Sequence, residues 1–92
     1  MTYRQLVANH LQALADEGRT QRQIADLLGV KGRNYISMLM KPNGQEILAL
    51  KRLPALVVAR RLSNYEAVKL PYMLCRDHPE HASALDIETL SG

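Results

Sequence analysis

A short polar segment in the first half of the chain carries side chains that match the edges of base pairs. Arg33 can donate two hydrogen bonds to O6 and N7 of guanine, and Asn34 can pair in the same two-pronged way with N6 and N7 of adenine. Ser37, about one helical turn further along, can bond a base edge or a phosphate. If these three side chains lie on the outer face of one short helix, their chemistry predicts contact with double-stranded DNA.

The residues before this segment predict a helix that packs beside it. Thr20 can cap the helix, and Gln23, three residues later, can bond back to the backbone N–H of the cap. Ala25 is small enough to let two helices cross closely, and Gly29 stands where the chain must take a positive φ. The apolar face of this helix is predicted to consist of Ile24, Leu27 and Leu28.

These features predict two short helices, over residues 21–28 and 32–40, joined by a glycine turn. In the second helix, Ile36 and Leu39 are expected to point inward. Its outward residues are expected to be Arg33, Asn34, Ser37 and Met38. Two helices joined by a glycine turn also occur in small helical domains that bind no nucleic acid, so the pattern alone leaves both interpretations open.

The rest of the chain predicts three further helices and no strand. The first covers residues 3–17 behind the cap Thr2, and the fourth begins near Ala49 or later, with Pro54 in its first turn. The fifth opens with a capping box formed by Ser63 and Glu66. We therefore expect an all-α fold, a compact five-helix bundle.

Two local signals refine this picture. Asn43 and Gly44 are expected to supply positive φ in a turn after the third helix. Pro71 falls within the apolar pattern of the fifth helix, where it is expected to kink or break the helix at Lys69 and Leu70.

These motifs resemble the lambda-repressor-like superfamily, the phage Cro and repressor type of helix-turn-helix protein that is also called Xre-type. The resemblance is carried by Ile-Ala-Asp-Leu-Leu-Gly-Val at 24–30, Tyr-Ile-Ser-Met-Leu at 35–39, Leu-Pro-Ala-Leu at 53–56 and Ala-Arg-Arg-Leu at 59–62. It implies a five-helix bundle whose third helix enters the major groove, acting as a two-fold dimer on a palindromic operator.

The resemblance also implies which residues would touch DNA. The recognition segment would comprise Lys31, Gly32, Arg33, Asn34 and Ser37. Phosphates would be contacted by Gln21, Arg22, Tyr35, Lys41, Asn43 and Gln45. This chain has one residue more between Gly29 and Ile36 than the commonest spacing in the family. Either Tyr35 takes the usual core position of the family, or the turn is one residue longer. We favour the longer turn, which would keep Ile36 in the core and leave Tyr35 partly buried, with its hydroxyl toward a phosphate.

The charge and composition of the chain agree with DNA as a partner. The net charge is +3, and the first 62 residues carry ten Lys or Arg against four Asp or Glu, whereas residues 63–92 carry two against five. The 92 residues are enough for one domain, expected over 1–78, followed by an acidic tail over 79–92 that could add a weak extra helix. The single cysteine and the lack of a targeting or bilayer-spanning run predict a soluble, cytoplasmic protein without membrane contact.

Other groups of reactive residues give weaker evidence for a function. Cys75, Asp77, His78 and His81 are close in sequence, but Pro79 interrupts them and a structural zinc site needs four ligands, so no metal is predicted and Cys75 is expected in the core. The sequence contains no glycine-rich phosphate loop and no nucleophile motif. Carboxylates that are adjacent in a helix point in different directions, so they cannot act together as an acid–base pair. We therefore expect no enzyme activity, cofactor or small-molecule substrate.

Together, these observations predict a sequence-specific DNA-binding transcriptional regulator, a repressor of phage or bacterial type that acts as a homodimer. The dimer surface is expected to include Val68, Tyr72 and Met73. The competing prediction is a small protein-interaction module, phage- or toxin-linked, that uses the same bundle to bind another protein. Structured RNA is a third option, disfavoured because few aromatic residues are available for stacking.

Overall fold

Helices account for all regular structure in the part of the chain that the structure describes. The computed structural model describes residues 1–41 and 43–81, and predictions for Pro42 and for most of the acidic tail lie outside this range. The helices are α1 (Tyr3–Asp16), α2 (Gln21–Leu28), α3 (Arg33–Met40), a short 3-10 helix (Leu50–Arg52), α4 (Leu53–Arg60) and α5 (Asn64–Asp77). The predicted all-α class is confirmed. None of the described helices is both long and apolar enough to cross a membrane.

Side-chain caps set the starts of α1, α2 and α5. Thr20 accepts from the backbone N–H of Gln23 at 3.1 Å, and the Gln23 side chain accepts from the Thr20 N–H at 2.9 Å, so the predicted capping box is confirmed. Thr2 forms the same box with Gln5 in α1. At α5 the box is only half formed, because the Glu66 carboxylate accepts from the Ser63 hydroxyl at 3.4 Å rather than from the Ser63 backbone.

The core is built from apolar residues of every α-helix. Fully buried side chains include Leu11 of α1, Ile24 of α2, Ile36 of α3, Leu56 of α4 and Leu70 of α5. This arrangement closes a bundle with axes of 35 × 27 × 25 Å.

Three predictions of burial are wrong. Leu27 is 39% exposed, because only Ile24, Ala25 and Leu28 of α2 face the core. Cys75 is exposed rather than buried, since the core side of the last turns of α5 is already filled by Met73 and Leu74. Met73 is a core residue, only 3% exposed, so it contributes little area to the predicted dimer surface although it lines the cleft beside it.

Helix α5 runs without a break through Pro71, so of the kink or break predicted at Lys69 and Leu70, the break does not occur. The buried side chains on either side of the proline pack against the other helices and hold the segment helical. The end of α5 is also tied to the start of α1. The Asp77 carboxylate accepts from the backbone N–H of Tyr3 at 2.7 Å, and Arg76 donates to the carbonyl of Met1 at 2.9 Å. The hydrogen bond from Arg76, together with that from Tyr3, lowers the pKa of Asp77 to about 2.

Glycines act differently in the two turns that were predicted to need them. Gly29 takes φ 71° and ends α2, as expected. Gly44, in contrast, does not have a left-handed φ. It is needed for space, since a Cβ there would lie 2.7 Å from Arg4 Nη2 and 2.7 Å from the carbonyl oxygen of Met38.

Candidate nucleic-acid interface

Helices α2 and α3 pack directly against each other across a four-residue turn. Ala25 is buried in α2, where its small side chain permits a close approach. The turn starts at Gly29, after which the N–H of Val30 donates to the carbonyl of Ala25 at 3.0 Å. It ends at Gly32, whose φ of 83° redirects the chain into α3. The backbone of the turn therefore fixes the direction in which α3 leaves α2.

Helix α3 has an apolar inner side and a polar outer side. Ile36 and Leu39 are buried, and Tyr35 is half-buried, which confirms that Ile36 fills the core position after the longer turn. Arg33 and Asn34 are exposed at the start of the helix. Ser37 is half-buried, so its hydroxyl is less accessible than the sequence suggested.

The segment that contains α3, between Asp26 and Glu46, carries only positive charge. Residues 27–45 contain no Asp or Glu, and their three cations, Lys31, Arg33 and Lys41, are all exposed. Gln21 and Arg22 are exposed at the start of α2. A polyanion approaching α3 would therefore meet positive charge and neutral hydrogen-bonding groups without a carboxylate from that segment.

Two cations that the sequence analysis missed lie beside the turn. A cleft of about 450 Å³ is lined by Lys31 and Tyr35 on one side and by Lys51 and Arg52 of the 3-10 helix on the other. Arg52 reaches across Gly29, where a Cβ would be 2.9 Å from Nη1. The adjacent pair Lys51 and Arg52 was the feature of the sequence from which these two cations could have been predicted. Only the fold shows that the chain returns to the α2–α3 turn at this point.

The hydroxyl of Tyr35, which was expected to face a phosphate, instead makes a hydrogen bond within the fold. Tyr35 donates to the carbonyl of Ile47 at 3.1 Å, while Tyr3 donates to the next carbonyl, that of Leu48, at 2.7 Å. Residues 44–49 form neither helix nor strand, so their carbonyls need side-chain donors. Burial raises the pKa of both tyrosines above the ordinary value of 10, so both hydroxyls remain protonated donors at neutral pH and beyond it. The donor hydrogen of Tyr35 is thus already used within the fold.

The cysteine and histidines near the end of α5 form no metal site. Within residues 1–41 and 43–81, no three His, Cys, Asp or Glu side chains are placed to hold a metal ion. Asp77 is engaged by Tyr3 and Arg76, and the ring of His78 lies edge-on to Tyr3 with centroids 6.2 Å apart. These residues therefore link α5 to α1.

The predicted contact residues fall into two groups by exposure. The half-buried ones are Tyr35 and Ser37. The exposed ones are Gln21, Arg22, Lys31, Gly32, Arg33, Asn34, Lys41, Asn43 and Gln45. Comparison of the chain with family models, curated proteins and solved structures finds no match.

Proposed function

We propose that this chain is a sequence-specific DNA-binding transcriptional regulator, with α2 and α3 forming a lambda-repressor-like helix-turn-helix. The observation that carries the proposal is the outer side of α3, where Arg33 and Asn34 are exposed within a segment, residues 27–45, that lacks any carboxylate. A short helix that is apolar inside and bears these two side chains outside has the form and chemistry required to read a major groove.

In this proposal α3 contacts the bases, and the polar residues around α3 contact the phosphates. Arg33 and Asn34 occupy the first turn of α3, the part of a recognition helix that reaches furthest into the groove. Phosphates on either side are contacted by the exposed polar residues Gln21, Arg22, Lys41, Asn43 and Gln45, joined by Lys51 and Arg52 across the cleft. The phosphate contacts supply most of the affinity, and the base contacts supply the specificity.

The proposal includes a homodimer formed through α5. Tyr65, Val68 and Tyr72 form one stripe at helical spacing and are 77%, 65% and 63% exposed. They border a cleft of about 700 Å³ that also includes Lys69 and Arg76 on its rim. A second copy of the chain would remove this apolar stripe from water, and a two-fold contact would match a palindromic operator. Tyr65 takes the place of the buried Met73 in the predicted surface.

Selection of bound duplexes from a random-sequence DNA library tests the proposal. The purified protein would be used at about 150 mM salt, where non-specific phosphate attraction is largely screened. We expect an enriched palindrome with half-sites one helical turn apart. An enriched site without symmetry would support DNA reading and contradict the dimer, whereas no enrichment over the input library would contradict the function itself.

The salt dependence of binding gives a second measurement. If the dimer neutralises roughly six to ten phosphates, its affinity should fall by about 10³–10⁵ between 50 and 200 mM salt. A nearly flat dependence would contradict a phosphate-held complex.

A second candidate function, a protein-interaction module, is favoured by the apolar stripe of α5. Such a stripe also suits the surface of a different protein. This candidate predicts no enriched DNA site, together with a monomer in solution that forms a stoichiometric complex with its partner.

A further inference from the structure

Arg4 of α1 binds three carbonyls, one in the last turn of α3 and two in the loop between α3 and the 3-10 helix. Its Nε donates to Glu46 at 2.9 Å, Nη1 donates to Lys41 at 3.2 Å, and Nη2 donates to Met38 at 3.2 Å. One guanidinium thereby joins the last turn of α3 to the start of the loop at Lys41 and to its middle at Glu46. The charged donors make these hydrogen bonds stronger than bonds from a neutral group.

Gly44 packs against this guanidinium from within the loop. The N–H of Gly44 donates to the carbonyl of Lys41 at 3.2 Å, which closes the turn. A Cβ on residue 44 would collide with Arg4 Nη2. The loop therefore depends on a long side chain from α1, 40 residues earlier in the sequence, and on the absence of a side chain at position 44.

The loop held in this way carries three of the residues assigned to phosphates above. Lys41, Asn43 and Gln45 are exposed, while the carbonyls of Lys41 and Glu46 face Arg4. A loop that is already ordered loses less conformational entropy when its side chains bind a ligand.

We infer that Arg4 is a positioning residue for phosphate contact: it holds the loop so that Lys41 and its neighbours face the DNA backbone. This inference rests on the proposed function. Arg4 acts through the loop, because its three nitrogens are directed at the carbonyls of Met38, Lys41 and Glu46.

A double-mutant cycle tests the inference. Arg4→Met keeps the apolar stem of the side chain and removes its donors, and Lys41→Ala removes one phosphate contact. Binding would be measured by fluorescence anisotropy with a labelled random-sequence duplex of about 24 base pairs at about 50 mM salt, conditions under which phosphate contacts dominate. We expect Arg4→Met to weaken binding by roughly three- to thirtyfold, and Lys41→Ala to cost much less in the Arg4→Met background than alone.

Two further variants separate positioning from loss of charge and from general destabilisation. Arg60→Met is the matched control, because Arg60 also donates hydrogen bonds to neighbours, His10 and Glu17, but lies on α4 away from the loop. It should leave the effect of Lys41→Ala unchanged. A Cβ at position 44 would clash with Arg4 Nη2 and with the carbonyl of Met38, so Gly44→Ala disturbs the loop at the Arg4 contact without removing a charge. It should reproduce the reduced effect of Lys41→Ala.

Amide hydrogen exchange of the free proteins gives a measurement that is independent of DNA. The amides of residues 43–48 should exchange faster in Arg4→Met and Gly44→Ala than in wild type or Arg60→Met. If the wild type binds duplex DNA and the effects of Arg4→Met and Lys41→Ala are additive, the positioning role is overturned and the proposed function stands. If the wild type binds no duplex, the positioning role and the proposed function are both overturned. Faster exchange in Arg4→Met would then show that Arg4 only stabilises the loop.

Discussion

At the scale of single residues, Arg33 should determine specificity whereas Arg22 should determine affinity. Arg33 is exposed in the first turn of α3, and Arg22 is exposed at the start of α2. Arg33→Ala is expected to cost about 1–3 kcal/mol on the selected site and to relax the preference at one base pair per half-site. Arg22→Ala should weaken binding to selected and scrambled duplexes equally. Competition titrations with both duplexes measure this, and unchanged discrimination by Arg33→Ala would remove its base-reading role.

His10 gives the stability of the protein a dependence on pH. It is buried, and its Nδ1 accepts from Arg60 Nε at 3.3 Å. Burial, followed by the charge of Arg60, lowers the pKa of His10 below its ordinary value of 6.5, against an opposing effect of Glu66. The unfolded chain therefore binds a proton at a higher pH than the folded chain does. The stabilising contribution is complete above pH 6.5 and is lost as the pH falls below that value.

The measurement is urea unfolding of wild type and His10→Gln at about pH 7.5 and about pH 5.5. Glutamine keeps an acceptor for Arg60 and removes the titration. Wild type should lose more of its free energy of unfolding between the two pH values than His10→Gln does. Because His78 and His81 are present in both proteins, equal losses would show that His10 does not contribute.

At the scale of helices, α4 ends with an unfavourable residue in a left-handed conformation. Arg61 has φ 53° and ψ 48°, whereas α2 ends at Gly29 and the turn after α1 contains Gly18, both with positive φ. Arg61→Gly should raise the free energy of unfolding by about 1 kcal/mol, because a side chain at positive φ is strained.

Gly18→Ala provides the reverse experiment. A Cβ on residue 18 would meet no atom within 4 Å, so the change tests backbone conformation alone. We expect a loss of about 1 kcal/mol. Urea unfolding of the two variants measures both effects. A destabilised Arg61→Gly would mean that the exposed arginine side chain contributes more than its backbone strain costs.

Local rules predicted the starts of the helices well and were less successful inside them. The caps at Thr2 and Thr20 depend on groups three residues apart, so sequence spacing is sufficient to find them. Of the kink or break predicted at Pro71, the break does not occur, because the packing of buried neighbours outweighs the lost hydrogen bond, and this packing is not a local property.

At the scale of the whole molecule, the stripe of α5 should decide the oligomeric state. Val68→Asp would bring two carboxylates close together across a two-fold contact, so we expect dimerisation to weaken by more than about tenfold. Val58→Asp on α4 is the matched control, since Val58 is 76% exposed but lies outside the stripe. Sedimentation equilibrium at micromolar concentration measures both. Equal behaviour of the two variants would place the contact elsewhere, and a monomeric wild type would remove the dimer from the proposal.

The sequence by itself determined the local features of this protein. Helical class, cap positions, the glycine at the end of α2 and the inward direction of Ile36 all follow from interactions within about four residues, which spacing and residue type reveal. The exposed positions of Arg33 and Asn34 follow from the same periodicity.

Only the tertiary structure decided which distant groups meet. It brings Lys51 and Arg52 beside Lys31, and it turns the hydroxyl of Tyr35 away from solvent and onto a carbonyl. It also sets Arg4 against carbonyls 34 to 42 residues away. A loop without regular structure must find donors for its carbonyls wherever the fold supplies them, and no local pattern in the sequence specifies that choice.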